Sequence, residues 1–248
     1  MAASKKIVFF DIPTKEPIHA VCNPWRTRLL TRVARLVLNY KGLDYETEWL
    51  EYPEIKPRLQ PHLPGLDEYT VPTVIMPDGT YIMDSKVIVR ELEKQYPSSP
   101  PLDHDSPQIP KYMDQLSWVF RNLRPVFLVG VPQRLLKEVN HAYWNETRAE
   151  HVGMPLDQYI KEHSTEEAYK GATPHLQSIT AMLKENDKGP FFNGDTIKYV
   201  DFAHAGFLLM FRQLGEDIFQ PILEATGDPE VHLKFLEALK PWTERDNH

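Results

Sequence analysis

Three short clusters in this sequence hold the residue types and spacings that could do chemistry. The first, Cys22-Asn23-Pro24-Trp25, opens a helical pattern. The first turn of a helix presents N–H groups without intrahelical partners and the positive end of the helix dipole. A thiolate held there has its pKa lowered from about 8.5 into a range of roughly 3.5 to 7.5. The sulfur is either that of a bound thiol or that of Cys22. Read locally, Asn23 and Pro24 also make an ordinary helix cap and first helical position. The second cluster is Val71-Pro72, just ahead of a strand. A cis proline at that place exposes the N–H and C=O of the preceding residue, which pair with an extended peptide as with an added strand. The third is Asp84-Ser85, at the start of another helix. The Ser85 hydroxyl and nearby N–H groups suit a carboxylate, and Asp84 suits an α-ammonium group; the plain alternative is a helix cap. In this order the three clusters fit a small thiol peptide with a free amino-acid end.

The elements that must position these clusters follow from the pattern. Ile7–Asp11 is a β-branched and aromatic run of strand length. From Pro24 onward, Leu29, Leu30, Val33, Ala34, Leu36, Val37 and Leu38 recur at helical spacing until Gly42. Residues 45–52 predict a second strand, and the proline-punctuated stretch 53–64 has room only for a short helix. Residues 70–75 and 81–83 flank Pro77-Asp-Gly-Thr80, a hairpin signal. A helix carrying Val87, Ile88, Val89, Leu92 and Tyr96 then runs to Pro97. The order β-α-β-α-β-β-α over about 97 residues is that of a thioredoxin-like domain, and the prolines at 100, 101 and 110 mark a linker. Beyond it the pattern is helical: 112–123, 132–149 with a break near Pro125, 166–184, 200–214, 217–226 and 229–239. The expectation is two domains, 1–97 and 107–248, the first α/β and thioredoxin-like, the second all-helical.

Composition narrows the function classes. The 248 residues are 42% hydrophobic and 25% charged, enough for a sizeable core. A formal net charge of −7 argues against nucleic acid, which favours a basic face. The most apolar stretch, Val200–Phe211, is interrupted by Asp201 and His204 and is too short to span a bilayer. Met1-Ala-Ala-Ser-Lys-Lys leads directly into a strand, so no secretory leader is expected. Cys22 is the single cysteine, which excludes an internal disulfide framework and cysteine-rich zinc sites and fits a reducing, cytoplasmic setting. The ten histidines show no metal-ligand spacing, and no metal is expected.

Asn23-Pro-Trp-Arg-Thr-Arg28, Asn39-Tyr-Lys-Gly-Leu43, Glu48-Trp-Leu-Glu-Tyr-Pro53, Val71-Pro72, Pro77-Asp-Gly-Thr80 and Asp84-Ser-Lys86 closely resemble the fungal etherase-like glutathione transferases, the FuA class, relatives of the bacterial β-etherases. Leu128-Val-Gly-Val-Pro132, Gly153-Met-Pro155, Pro190-Phe-Phe-Asn-Gly-Asp195 and Val200-Asp-Phe202 extend the resemblance over nearly the whole chain. It implies a glutathione transferase with glutathione as co-substrate, a hydrophobic aromatic electrophile or polyphenol as partner, detoxification as the setting, etherase-like or peroxidase activity as variants, and a homodimer. Carried over, Val71, positioned by Pro72, would hold the glutathione backbone with Asp84 and Ser85. Asn23 would donate its N–H toward the sulfur, and Trp25 and Arg26 would flank the pocket. Phe120, Phe127, Tyr143 and Trp144 are candidates to line the aromatic site.

Three departures bear on these roles. Many members of the class have a serine where Val21 stands, two residues before the asparagine. Either Asn23 and the helix dipole activate the thiol unaided, or Cys22 is itself the nucleophile through a mixed disulfide, as in omega-like transferases, or catalysis is feeble and the site binds ligands as a ligandin. The helix after Trp25 is about two turns longer than usual, near 31–37, and counting back from Lys41-Gly42 places Arg28 at the activating position. Lys198 stands where a serine or threonine cap is usual, a loss of about 1 kcal/mol.

Overall fold

In the computed structural model, residues 6–16, 30–98 and 100–245 are described. The β-branched and aromatic run of strand β1 (Ile7–Asp11) lies inside a four-stranded sheet of order β2-β1-β3-β4. It is parallel to β2 (Tyr45–Trp49) and antiparallel to β3 (Thr73–Ile75), which pairs antiparallel with β4 (Tyr81–Met83). The hairpin closes as its residue types require. Thr80 donates to the Asp78 carboxylate at 2.8 Å, and Gly79 takes φ 92°, a conformation only glycine adopts cheaply. Helix α1 (Leu30–Tyr40) buries Val33, Ala34, Leu36, Val37 and Leu38, so residues 31–37 lie within an ordinary packed helix. Helices α2 (Tyr52–Leu59) and α3 (Ser85–Gln95) complete the sheet-bearing half.

The second strand ends at Trp49, short of the expected Tyr52. Glu51 instead starts α2: its N–H donates to Glu54 at 2.8 Å, and Pro53 sits in the first turn, where no N–H is needed. Strand β3 likewise begins at Thr73, after Pro72, rather than at Thr70.

The remainder is helical: α4 (Gln108–Asn122), α5 (Arg124–Gly130) with a π-turn at Val131–Leu135, α6 (His141–Val152), α7 (Leu156–Glu162), α8 (Thr165–Leu183), α9 (Tyr199–Leu214), α10 (Glu216–Ala225), α11 (Pro229–Ala238) and α12 (Lys240–Thr243). The expected helix 132–149 is interrupted, because Leu136 and Lys137 are extended. That break lets Lys137 reach Glu51 at 2.9 Å and lets the Asn140 amide bridge Glu51 (2.6 Å) and the Tyr52 N–H (2.7 Å). The short α7 has no counterpart in the sequence pattern. Among the described residues no helix is long and apolar enough to cross a membrane.

Two more ties secure the ends of the sheet-bearing half. Lys41 and Glu93 form a near-buried ion pair whose lysine also donates to the Tyr96 carbonyl and Ser98 hydroxyl, holding the linker end of α3 to α1. At the far end of the chain the Asn39 amide donates to the carbonyls of Trp242 (2.8 Å) and Arg245 (2.9 Å). Arg245 reaches back to the carbonyls of Leu43 and Tyr45 and lies 4.3 Å over the Tyr45 ring.

Under the sheet, Asp11 and Arg35 are both fully buried. Arg35 donates through Nη2 (2.9 Å) and Nε (3.3 Å) to one Asp11 oxygen while the other accepts the Ile12 N–H at 2.8 Å. The guanidinium lies 4.8 Å from the Phe9 ring centre and also reaches Thr47 at 3.1 Å. Burial pushes the Asp11 carboxyl up, against the pull of Arg35. Removing one partner strands a charge in the core, which costs about 3 to 5 kcal/mol, whereas replacing both with apolar groups is far cheaper. Asp11→Asn is therefore expected to lose about 3 kcal/mol or more in denaturant unfolding, and the Asp11→Leu/Arg35→Met double variant to recover most of that loss.

In the helical half a buried chain of hydrogen bonds runs Tyr112 Oη–His204 Nδ1 (3.1 Å), His204 Nε2–His232 Nδ1 (2.9 Å) and His232 Nε2–Thr180 Oγ1 (2.9 Å). The Thr180 proton is committed to a carbonyl, of Leu176 or Thr226, each 3.0 Å away. His232 Nε2 must therefore be the donor to Thr180, His204 Nε2 the donor to His232, and the Tyr112 hydroxyl the donor to His204. That series of donors holds with both imidazoles neutral, the form that burial favours. Burial, reinforced by His232, holds His204 well below the usual range, and burial holds His232 at about 4. In the unfolded chain these groups take up protons below about 6.5, so their share of stability is present above that pH and is lost as pH falls toward 4. Asp201 acts the other way: burial raises its carboxyl to about 7 against the N–H groups of Phe192 and Lys198, so its share fades as pH climbs through 7. His232→Gln, which keeps a donor and an acceptor but does not titrate, should show a shallower fall in Tm between about pH 6.5 and about pH 4.5 than the wild type. Parallel slopes would refute the neutral assignment.

Candidate active site

Of the expected site residues, Val71, Pro72, Asp84 and Ser85 are described and come together; Cys22, Asn23, Trp25 and Arg26, with Val21 and Arg28, lie outside the described residues. The Val71–Pro72 bond is cis. The turn is pinned from both sides: the Pro72 carbonyl accepts the Asp84 N–H at 3.3 Å, and the Thr73 hydroxyl donates to the Thr70 carbonyl at 2.7 Å. Val71 is buried, and among the described residues neither its N–H nor its C=O has a hydrogen-bond partner. Buried backbone groups are nearly always paired, so this pair stands out among the described residues.

Asp84 has φ 81°, a sparsely populated region for a residue with a Cβ, at a cost of order 1–3 kcal/mol. The conformation puts its Oδ1 at 2.9 Å from the Lys86 N–H and 3.4 Å from that of Val87, so the carboxylate caps α3 while Oδ2 is not used by either bond. Ser85, buried, opens α3 directly beside the cis turn. The cap reading of this cluster is therefore observed, and the second carboxylate oxygen takes no part in it.

A cleft of about 520 Å³ opens from Val71 toward the helical half. Its floor is Ile12, at the end of β1 beside the Asp11–Arg35 pair, and one wall is α2, with Tyr52, Pro53, Ile55 and Pro57. The facing wall is α6, with Tyr143, Thr147, Arg148 and His151. Asp84 and Ser85 stand outside this cleft, across the proline turn. Of the aromatic candidates only Tyr143 lines the cleft, 39% exposed and stacked on Tyr52 with ring centres 5.2 Å apart. Phe120, Phe127 and Trp144 are core residues, and the reading of them as pocket is corrected accordingly. Phe120 packs on Phe127, Phe207 and Phe211, and Trp144 donates its indole N–H to the Leu128 carbonyl. Tyr52, whose phenol burial pushes up, stays protonated and is no base.

The sequence pattern alone does not single out Ile12, Tyr52 or Arg148. A signal for α6 is present: 143, 147 and 151 fall at i, i+4, i+8, with Trp144 and Arg148 on the adjoining stripe. The Lys198 departure also resolves. Lysine offers no acceptor, so Asp201 does the capping, taking the Lys198 N–H at 2.7 Å and tying the Phe192 N–H at 2.9 Å to the same carboxylate.

Comparison with known proteins agrees with this fold. The glutathione S-transferase C-terminal domain family matches residues 113–242, and the glutathione S-transferase N-terminal domain family matches residues 29–95. Among solved structures, glutathione transferase GSTFuA2 of Phanerochaete chrysosporium is similar, with TM-score 0.79 and 25% identity over 96% of this chain and 98% of that one. A glutathione S-transferase of Ceriporiopsis subvermispora, crystallised in complex with glutathione, gives TM-score 0.78 and 25% identity over the same shares, 96% and 98%. The glutathione S-transferase-like protein ustS of Aspergillus flavus is 27% identical over 237 residues, covering 87% of this chain and 84% of its own. With the family match to the C-terminal domain spanning more than half the chain, this protein belongs to the glutathione S-transferase family.

Proposed function

We propose that this transferase joins glutathione to hydrophobic aromatic electrophiles in the cleft between α2 and α6. The thiolate attacks an electrophilic carbon, a new C–S bond forms, and the leaving group departs as an anion with its bonding pair; in an etherase-like variant that group is an aryloxide. The observation that carries this reading is the open backbone of Val71 on the wall of an aromatic-lined cleft, beside the Asp84–Ser85 helix start. Glutathione has a backbone to pair with Val71 and, on its γ-glutamyl end, a carboxylate for Ser85 and an ammonium for the free oxygen of Asp84.

In this reading residues 1–97 are the glutathione domain and 107–248 the substrate domain. Asn23 donates a side-chain amide N–H to the sulfur at the helix start, and Trp25 and Arg26 border the site. The resemblance to the FuA class supports a cytoplasmic homodimer engaged in detoxifying xenobiotics or wood polyphenols, with peroxidase activity a further variant.

Two experiments test the site. Asn23→Ala should cut conjugation of glutathione with an aryl halide at least about tenfold, as loss of one transition-state donor does, while Cys22→Ser leaves it nearly unchanged; the reverse pattern moves the chemistry to the cysteine. Negligible conjugation by the wild type, with tight binding of a fluorescent aromatic probe, marks a ligandin instead. Asp84 separates cap from ligand contact. Asp84→Asn preserves the cap, so Tm should stay near that of the wild type while glutathione affinity, read by calorimetry, falls about tenfold with the lost charge; Asp84→Ala should lose affinity and about 1 kcal/mol of stability together.

A further inference from the structure

We infer that Arg148 makes the cleft selective for flat aromatic electrophiles that carry a negative charge, such as aryl carboxylates. The inference rests on the glutathione-transferase reading and names the substrate class of the same site.

The charged side chains around the cleft are not equivalent. Lys56, Asp67, Glu68, Glu150 and His151 stand exposed at the rim, whereas Arg148 is 5% exposed and still lines the cleft. Water screens the rim charges, while a charge pair near the protein interior interacts about fourfold more strongly than one in water. Among the described residues, discrimination between ligands therefore falls to Arg148. Its position is fixed in advance. Nη1 donates to the Thr147 hydroxyl at 2.7 Å and Nη2 lies 3.5 Å from the Tyr52 hydroxyl. The guanidinium carbon sits 4.2 Å over the Trp144 ring and 5.3 Å over that of Tyr52. A planar fork held against two neighbouring rings loses little freedom on meeting a carboxylate, whose two oxygens match its geometry.

The aromatic part of the ligand has its own support. Tyr143 shows a ring to the cleft, backed by its stack on Tyr52. A flat ring laid on Tyr143 keeps its edge on the α6 wall that also presents Arg148, while Val71 borders the same cleft from the glutathione side. During transfer the thiolate adds to the ring carbon that bears the leaving halide, and the halide leaves as an anion. The carboxylate forms and breaks no bond, so the effect of Arg148 belongs in KM and not in kcat.

The test compares chloronitrobenzoate with its neutral methyl ester, both with saturating glutathione, in wild type, Arg148→Gln and Arg148→Lys. The expected result is that Arg148→Gln raises KM for the acid about tenfold or more, with its kcat and both constants for the ester within about twofold; this is the loss of a charge-assisted hydrogen bond. Arg148→Lys, which keeps the charge without the fork, should fall between. Equal effects on acid and ester, or a rise confined to the KM of glutathione, would overturn the inference, the latter because the guanidinium then serves glutathione's own carboxylate. Should Arg148→Gln fold poorly, the Arg148→Lys comparison of acid against ester decides the same question. Binding of anilinonaphthalene sulfonate against uncharged phenylnaphthylamine separates the two readings. Anion preference in a wild type that conjugates neither substrate removes the transferase reading and keeps this one. Conjugation of acid and ester alike, without anion preference, removes this one and keeps the transferase.

Discussion

The geometry of the cleft depends on one carboxylate. Glu51 receives Lys137 and the Asn140 amide from the helical half, and Asn140 in turn accepts the first N–H of α2. The start of α2 and the start of α6 are thereby fastened to a common point, and the two cleft walls grow from it. Half-buried and making charged hydrogen bonds, this junction is stronger than a surface ion pair of the same composition. The stack of Tyr52 on Tyr143 and the placing of Arg148 above Tyr52 follow from where that junction sets the two helices.

The junction also explains what can and cannot be read from the sequence. Strand β1, the hairpin at Gly79 and the helix starting at Ser85 announce themselves through neighbours in the chain: a β-branched and aromatic run, a turn quartet, a cap residue. The cis turn at Val71 and its closeness to Asp84 are legible for the same reason, since only about a dozen residues separate them. The break at Leu136 is not legible. Residues 132–149 carry a helical pattern, and the chain leaves it because Lys137 and Asn140 find partners more than eighty positions away at Glu51 and Tyr52. Arg148 stays hidden on similar grounds: a lone arginine on a helix reads as solvated until the elements that bury it are known. Asn23 and Cys22, on which the chemistry is expected, lie outside the described residues, so their roles stay with the resemblance and the proposed experiments.

The buried polar groups divide by role. The Asp11–Arg35 pair stiffens the end of β1 from which Ile12 enters the cleft, and Asp201 ties the loop at Phe192 to the start of α9. The Tyr112–His204–His232–Thr180 chain lies in the helical core and its donors all point one way along the series, from the phenol to the threonine. A core with a single permitted proton arrangement has fewer competing packings than an apolar one of equal volume.

The packing of residues 242–245 against the connection between α1 and β2 has a consequence for cooperativity. Arg245 and Trp242 share hydrogen bonds with Asn39, Leu43 and Tyr45 across sequence separations of about two hundred residues. Opening the turn at Trp242–Arg245 therefore uncovers the Leu43 and Tyr45 carbonyls and the Asn39 side-chain amide. Local opening of residues 242–245 is thereby coupled to the connection between α1 and β2, which ties the stability of these two distant segments together.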